Sequence, residues 1–526
     1  MVFTNSFLSV LILFFAGLNS FAQNQALKMI DTADLKHHLS FLSADSLQGR
    51  SFGTPQPGLD MAAGYLKVNI EKTGLASGAE DYFQKFSIIS SQPDIENTFL
   101  EVTDANGNVT FKTDSVIGLP AGSGINILNA EVIFAGFGWS DDKTGYNDLN
   151  GVDVRGKVVL FSMGTPESFK AKELSRWNNS LETVKIKKAK EAGAVLVIVI
   201  NNPLDEGNSI YNRMNRWINR NDFSLEMPDS KTDNNSFLFS TTSLADVLLG
   251  GKGKFKKSIA KISEKQQPHS YSLEGLRVKV KIDRKTEHVQ AKNVIGIIEG
   301  SDPELKSECV VLMAHYDHLG IDAGGDVFNG ADDNGSGTVA LLEVAEAFAN
   351  LEQKPKRSIV FLWVTAEEVG LLGSKYYVEN PVFPIDKTVA CINIDMAGRV
   401  FEQRDTVWNK SAKLVKNFDG LYTLTNNVWP GLKEINSAAC NVLGLIPDYS
   451  LPSGFLQSSD HFSFHSRGVP VINYATGYHA DYHKVTDEIS RINFDKMKRV
   501  ADLCFLVGNE IANCEKIELL KNEDKN

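Results

Sequence analysis

The chain has 526 residues, 42% of them hydrophobic and 23% charged, which is ordinary globular usage and enough for two or three separate cores. Its formal net charge of −11, with no basic block to offset it, excludes the electrostatic footprint of a nucleic-acid binder. Five cysteines are too few and too scattered for a disulfide-held fold, and Cys504 and Cys514 sit ten residues apart on one expected helix, about 15 Å along its axis.

The chain opens on "FLSVLILFFAGL", an apolar run of signal-peptide length and short for a membrane span, followed by the small-x-small site Ser20-Phe21-Ala22. This predicts a leader over 1–22 and an exported protein, periplasmic or extracellular, without a membrane span. Apolar residues at three- and four-residue spacing predict helices within 30–76, part of a segment 23–97 that belongs with the later α/β domain. From 98 to 284 short β-rich runs ("AEVIFAGFGW", "GKVVLFSM", "AVLVIVIN") alternate with turn residues, and 211–236 is polar and Asn-rich. This block reads as an inserted β-rich α+β domain, with a long loop over 211–236. Over 285–515 strands and helices alternate: "NVIGIIEG", "ECVVLMA", "SIVFLWV", "TVACINI" and "VPVINYA" are strands, and "GTVALLEVAEAFANL" a helix. Runs apolar on both faces predict an α/β fold, a mostly parallel mixed sheet with helices on both faces, ending before a polar tail at 516–526.

Each buried strand runs into acids or imidazoles. "ECVVLMA" leads to His315, Asp317 and His318, and "SIVFLWV" leads to Glu367 and Glu368. "TVACINI" leads to Asp395, and "VPVINYA" to His479, Asp481, Tyr482 and His483, while Asp332 and Asp333 precede the helix between the first two strands. One such residue is normally a cap or a structural histidine. Four strand ends of the same kind point to one site beyond the carboxyl edge of the sheet. An imidazole and carboxylate set without cysteine suits Zn²⁺, with Mn²⁺ or Co²⁺ as alternatives.

The series "HYDH…NGADDNGSG…TAEEVGLLGS…INIDMAGR…DYHKVTD" resembles the co-catalytic di-zinc exopeptidases, the family of secreted bacterial leucyl-type aminopeptidases and glutamate carboxypeptidase. "DVRGKVVLF…KKAKEAGAVLVIVINN" resembles the protease-associated (PA) domain that many members carry as an insertion. The resemblance implies two Zn²⁺ per chain: His315 and Asp395 on one, Glu368 and His483 on the other, and Asp333 bridging both. It implies Glu367 as general base and Tyr482 as the hydroxyl that stabilises the oxyanion. Asp317 is placed to fix the tautomer of His315, and Asp332, His318, His461, His465 and His479 fall outside the ligand set. The implied reaction is hydrolysis of N-terminal residues from peptide substrates. The alternatives are a carboxypeptidase or dipeptidase, a single-zinc glutaminyl cyclase, or a non-catalytic binding module on the same fold. No obligate protein partner is evident.

Overall fold

The structure, a computed structural model, describes residues 25–52, 56–94, 96–113, 125–166, 169, 181–204, 222–226, 237–322, 324–407, 415–515 and 517–519. The expected leader lies outside these residues, as do most of the tail and most of the Asn-rich stretch, in which Asp222–Leu225 forms a short strand. The described residues fall into two compact units, one reaching Ser87 and resuming at Val289, the other Ile88–His288. The change of sequence texture at 98 and 284 lies inside these borders, because the strands Phe83–Pro93 and Arg284–Ile298 run through both.

The first unit begins with α1 (Thr32–Leu42), where the Asp31 carboxylate accepts the Ala33 N–H and Leu35, Leu39 and Leu42 form the buried stripe. Next comes α2 (Pro57–Lys72), with proline in its first turn. After the second unit the chain forms β1 (Arg284–Ile298), β2 (Cys309–His315), α3 (Gly337–Ala349), β3 (Ser358–Val364), α4 (Leu372–Glu379) and β4 (Thr388–Ile394). It ends with β5 (Gly420–Thr425), α5 (Pro430–Leu443), β6 (Ile446–Asp448), β7 (Val471–Ala475) and α6 (Phe494–Asn513). Within the larger sheet these strands stand in the order β1-β3-β2-β4-β7-β5-β6. The four neighbours β3, β2, β4 and β7 are parallel, so their carboxyl ends open on one edge. Antiparallel β1 and β5 flank them.

Every residue of β2 and of β3 is buried, which is why both read as unbroken apolar runs. Val311 and Met313 pack with Tyr377 and Val378 of α4 and with Phe464. Leu312 points the other way, onto α6 at Gly508, and the Trp363 indole donates to the Thr338 carbonyl of α3 at 3.0 Å. Helices thus cover both faces. All five cysteines are free thiols, and no helix among the described residues is long and apolar enough to cross a membrane.

The second unit is built on a seven-stranded sheet whose alternating residues feed two cores. Val158 and Leu160 pack under the helices Thr242–Leu248 and Lys254–Lys265, while Val159 and Phe161 pack against Ile186 of Leu181–Glu191.

Helix α3 carries a buried acid, Glu343, against α1. The Asp31 N–H donates to its Oε2 at 3.4 Å, and His38 Nε2 lies 3.5 Å from Oε1. Burial pushes the Glu343 carboxyl up to about 8; the Asp31 N–H opposes the rise, and Glu346, Asp34 and Asp31 add to it. Burial also pulls His38 down, so the pair meets as neutral groups near pH 7. A carboxyl with a raised folded-state pKa contributes stability that is complete at low pH and is lost as pH rises through that value. From about pH 5 to about pH 8 the thermal midpoint of the wild type is therefore expected to fall more steeply than that of Glu343→Gln, read by calorimetry.

Candidate metal centre

The parallel strands bring the acids and imidazoles together. His315 is the last residue of β2 and pairs in register with Val364, the last of β3; Ile394 of β4 pairs with Tyr474 of β7. Asp395 follows β4 directly. Beyond β3 the backbone turns through left-handed Ala366 (φ 58°) before Glu367 and Glu368. His483 is also left-handed, φ 55°. Side chains held in this region outside glycine are uncommon and concentrate at functional sites.

Two donor sets result. His315, Asp333 and Asp395 offer atoms within 4.8 Å of one another, and so do His318, Asp333 and Glu368. His315 Nε2 stands 3.5 Å from both Asp333 Oδ1 and Asp395 Oδ1. Asp333 turns its other oxygen to the second set, with His483 Nε2 3.0 Å from Oδ2 and 3.4 Å from Glu368 Oε2. Asp333 is therefore the shared acid. His318, read from sequence as structural, has its Nδ1 2.8 Å from Glu368 Oε1, so both histidines flank that glutamate.

Asp317 occupies a different position from the one its spacing suggests. Its backbone carbonyl, 3.2 Å from His315 Nδ1, is the closer partner, and its carboxylate is 3.7 Å away. That carboxylate accepts the N–H groups of Glu367 and Glu368 at 3.2 and 3.3 Å. One acid thereby fixes the histidine through its backbone and the glutamate pair through its side chain. Tyr482 stacks on His483 with ring centroids 3.8 Å apart, and lines with Glu367 and His315 a common cavity.

The charges explain one another. Burial pushes Glu367 well above the usual carboxylate range; His315 opposes the rise, and Glu368, Asp460 and Asp395 reinforce it. Burial works the same way on Glu368, but His318 and His483 outweigh it and hold that carboxyl low. Burial alone would lower His483, yet Asp333 and Glu368 raise it to about 10. His315 is likewise lifted well above its ordinary value against burial, by Glu367, Asp317 and Asp395. Each imidazole thus faces two carboxylates, His315 those of Asp333 and Asp395 and His483 those of Asp333 and Glu368. An N/O donor set that must hold added positive charge at two adjacent points fits two divalent cations.

A second layer holds the bridging loop. Asp487 Oδ2 accepts the N–H groups of Asp332 and Asp333 at 3.0 and 3.1 Å. Asp332 turns away from the donors: its Oδ1 accepts the Gly398 N–H at 2.7 Å, and His479 Nε2 lies 3.3 Å from Oδ2. Buried Arg399 stands 3.5 Å from Asp487 and donates to Asp481 at 2.8 Å. The Asn334 amide accepts from Gly337 and Met396 and donates to the Ile394 carbonyl at 2.8 Å, clamping α3 to the end of β4. A Cβ on Gly337 would sit 2.4 Å from that same carbonyl, so glycine is required there. His461 is buried and is pulled by burial to about 4, and His465 pairs with Asn426; neither joins the donors.

Residues 293–507 match "Peptidase family M28", and residues 128–225 match "PA domain". The similarity to peptidase family M28 rests on residues 293–507 of the chain. Aminopeptidase YwaD of Bacillus subtilis is 30% identical over 234 residues, 43% of this chain and 46% of its own length. Leucine aminopeptidase 1 of Fusarium vanettenii is 31% identical over 219 residues, 40% of this chain and 52% of its own. The chain thus spans about half the length of these curated relatives. Across nearly its whole length it shares the fold of an aminopeptidase from Aneurinibacillus sp. strain AM-1, with TM-score 0.56 at 20% identity over 95% of this chain and 98% of that one. The M28 region contains both donor sets, and the PA match lies inside the second unit.

The Asp487 clamp is testable. Asp487→Ala leaves two buried N–H groups without an acceptor and should cost about 2 kcal/mol or more in denaturant unfolding of the metal-free protein. It should also lower zinc retention in dialysis.

Proposed function

We propose that the protein is an exported, metal-dependent aminopeptidase that removes N-terminal residues from peptides. The observation that carries the reading is the cavity at the carboxyl edge. Glu367, His315, Asp333, Asp395 and His483 face into it, and no arginine or lysine is among its described lining residues. A free α-amine is welcome among such acids, whereas the carboxylate of a substrate C-terminus would need a basic partner. Met396, Leu424, Leu451 and Phe455 line the same cavity and suit an apolar first side chain. The names of the relatives, aminopeptidases in both curated cases, agree with this reading.

His315 and Asp395 would hold one zinc ion, Glu368 and His483 the other, with Asp333 between them. Bound there, the ions supply Lewis-acid polarisation of the scissile carbonyl and acidify water. Glu367, its carboxyl raised by burial, is suited to take a proton from the attacking water and pass it to the leaving amine. The Tyr482 hydroxyl, kept protonated by burial and by surrounding acids, donates to the developing oxyanion. The N–H groups of Glu367 and Glu368, tied to Asp317, keep the base and the ligand in their separate directions.

Glu367→Gln should retain its zinc by elemental analysis while kcat falls by roughly 10²–10⁴-fold. Glu368→Ala should lose zinc as well as turnover. Leucine and phenylalanine arylamides should be cleaved and their N-acetylated forms left intact. Cleavage of the blocked forms alone would overturn the assignment.

A further inference from the structure

Arg50 lies far from the motifs in sequence and is buried beneath the centre, 1% exposed. Its guanidinium meets no carboxylate within ion-pair distance among the described residues; it donates to backbone carbonyls of three separate segments. Nε donates to Tyr316 O at 2.9 Å, Nη1 to Asn329 O at 2.7 Å and to Leu42 O, and Nη2 to Gly330 O at 2.9 Å. Tyr316 stands between His315 and Asp317, and Gly330 opens the loop that carries Asp333. The Arg50 carbonyl in turn accepts the His318 N–H at 3.1 Å, and Ser51 bridges to His318.

The backbone is shaped for this contact. Gln48, Gly49 and Arg50 are all left-handed, at φ 50°, 65° and 46°, which is costly for the two that carry side chains. Glycine is needed between them, because a Cβ on Gly49 would lie 2.4 Å from Gly320 O and 2.6 Å from Phe328 O. The strained turn thus presses against the same two segments that its arginine ties.

We propose that Arg50 is a positioning residue of the metal centre, setting the distance between the His315–His318 strand end and the Asp333 loop and hence the spacing of the two metal positions. The inference rests on the two-metal reading above. A planar guanidinium reaches carbonyls in several directions at once; a lysine ammonium offers its donors from a single point and cannot span them. Burial pulls the Arg50 guanidinium down to about 10, and the nearby Asp317, Asp333, Asp487 and Glu368 oppose that fall.

The test titrates Zn²⁺ into chelator-stripped full-length wild type, Arg50→Lys and Arg50→Met by calorimetry, with near-UV circular dichroism as a check on folding. The expected result is a folded Arg50→Lys that binds at least one zinc tenfold or more weakly and has lower kcat, with KM within about threefold of wild type. A purely structural tie would lower the melting temperature and leave zinc affinity unchanged, and that result overturns the proposal. If neither variant folds, amide exchange in the wild type decides. Zinc should slow exchange at residues 45–51 and at the His318 amide, and unchanged exchange there overturns the proposal. Wild type that takes up no zinc would instead overturn the metal reading itself.

Discussion

Like charge in a dry place is the constraint on which this molecule is organised. Asp317, Asp333, Glu367, Glu368 and Asp395 converge at the ends of adjacent parallel strands, where water is scarce and repulsion is strong. Such a cluster persists only if every acid has an assigned source of positive potential. Asp317 takes two backbone N–H groups, Asp333 and Glu368 take His483, Asp395 takes His315, and Glu367 feels the field of the same His315. Arg399 answers Asp481 and Asp487 behind the loop, and Arg50 approaches from below. The sheet supplies the convergence, because parallel neighbours deliver their carboxyl ends to one edge and their helices take up both faces.

The acids at the strand ends were legible because each follows an apolar run that fixes where a strand must stop. The mixed α/β sheet was legible for the same reason, since β2 and β3 are buried on both faces and cannot alternate. The division of labour around Asp317 was not. Spacing alone put its carboxylate on His315, whereas the turn at Ala366 offers two N–H groups that hold it more directly. His318 was equally hidden, because nothing local distinguishes a histidine that reaches Glu368 from one that fills a core.

Arg50, Arg399 and Asp487 form a harder class. Their partners lie far along the chain, as when Arg50 Nε reaches Tyr316 across 266 residues. Periodicity and capping rules describe neighbours a few positions apart and are silent at that range. The two compact units divide at Ser87/Ile88 and His288/Val289, within the long strands Phe83–Pro93 and Arg284–Ile298, where no change of composition marks a border.

That distance also imposes an order of assembly. The segment around Arg50 leaves the ribosome early, yet its carbonyl partners at Asn329 and Gly330 are 279 and 280 residues downstream. Between them lies Ile88–His288, a unit with its own sheet and cores. During synthesis that unit can close while α1 and α2 still lack the surface they cover, so Leu35, Leu39 and Leu42 stay exposed until α3 and α6 arrive. A chain interrupted before about residue 330 would hold a finished insert beside an unfinished site.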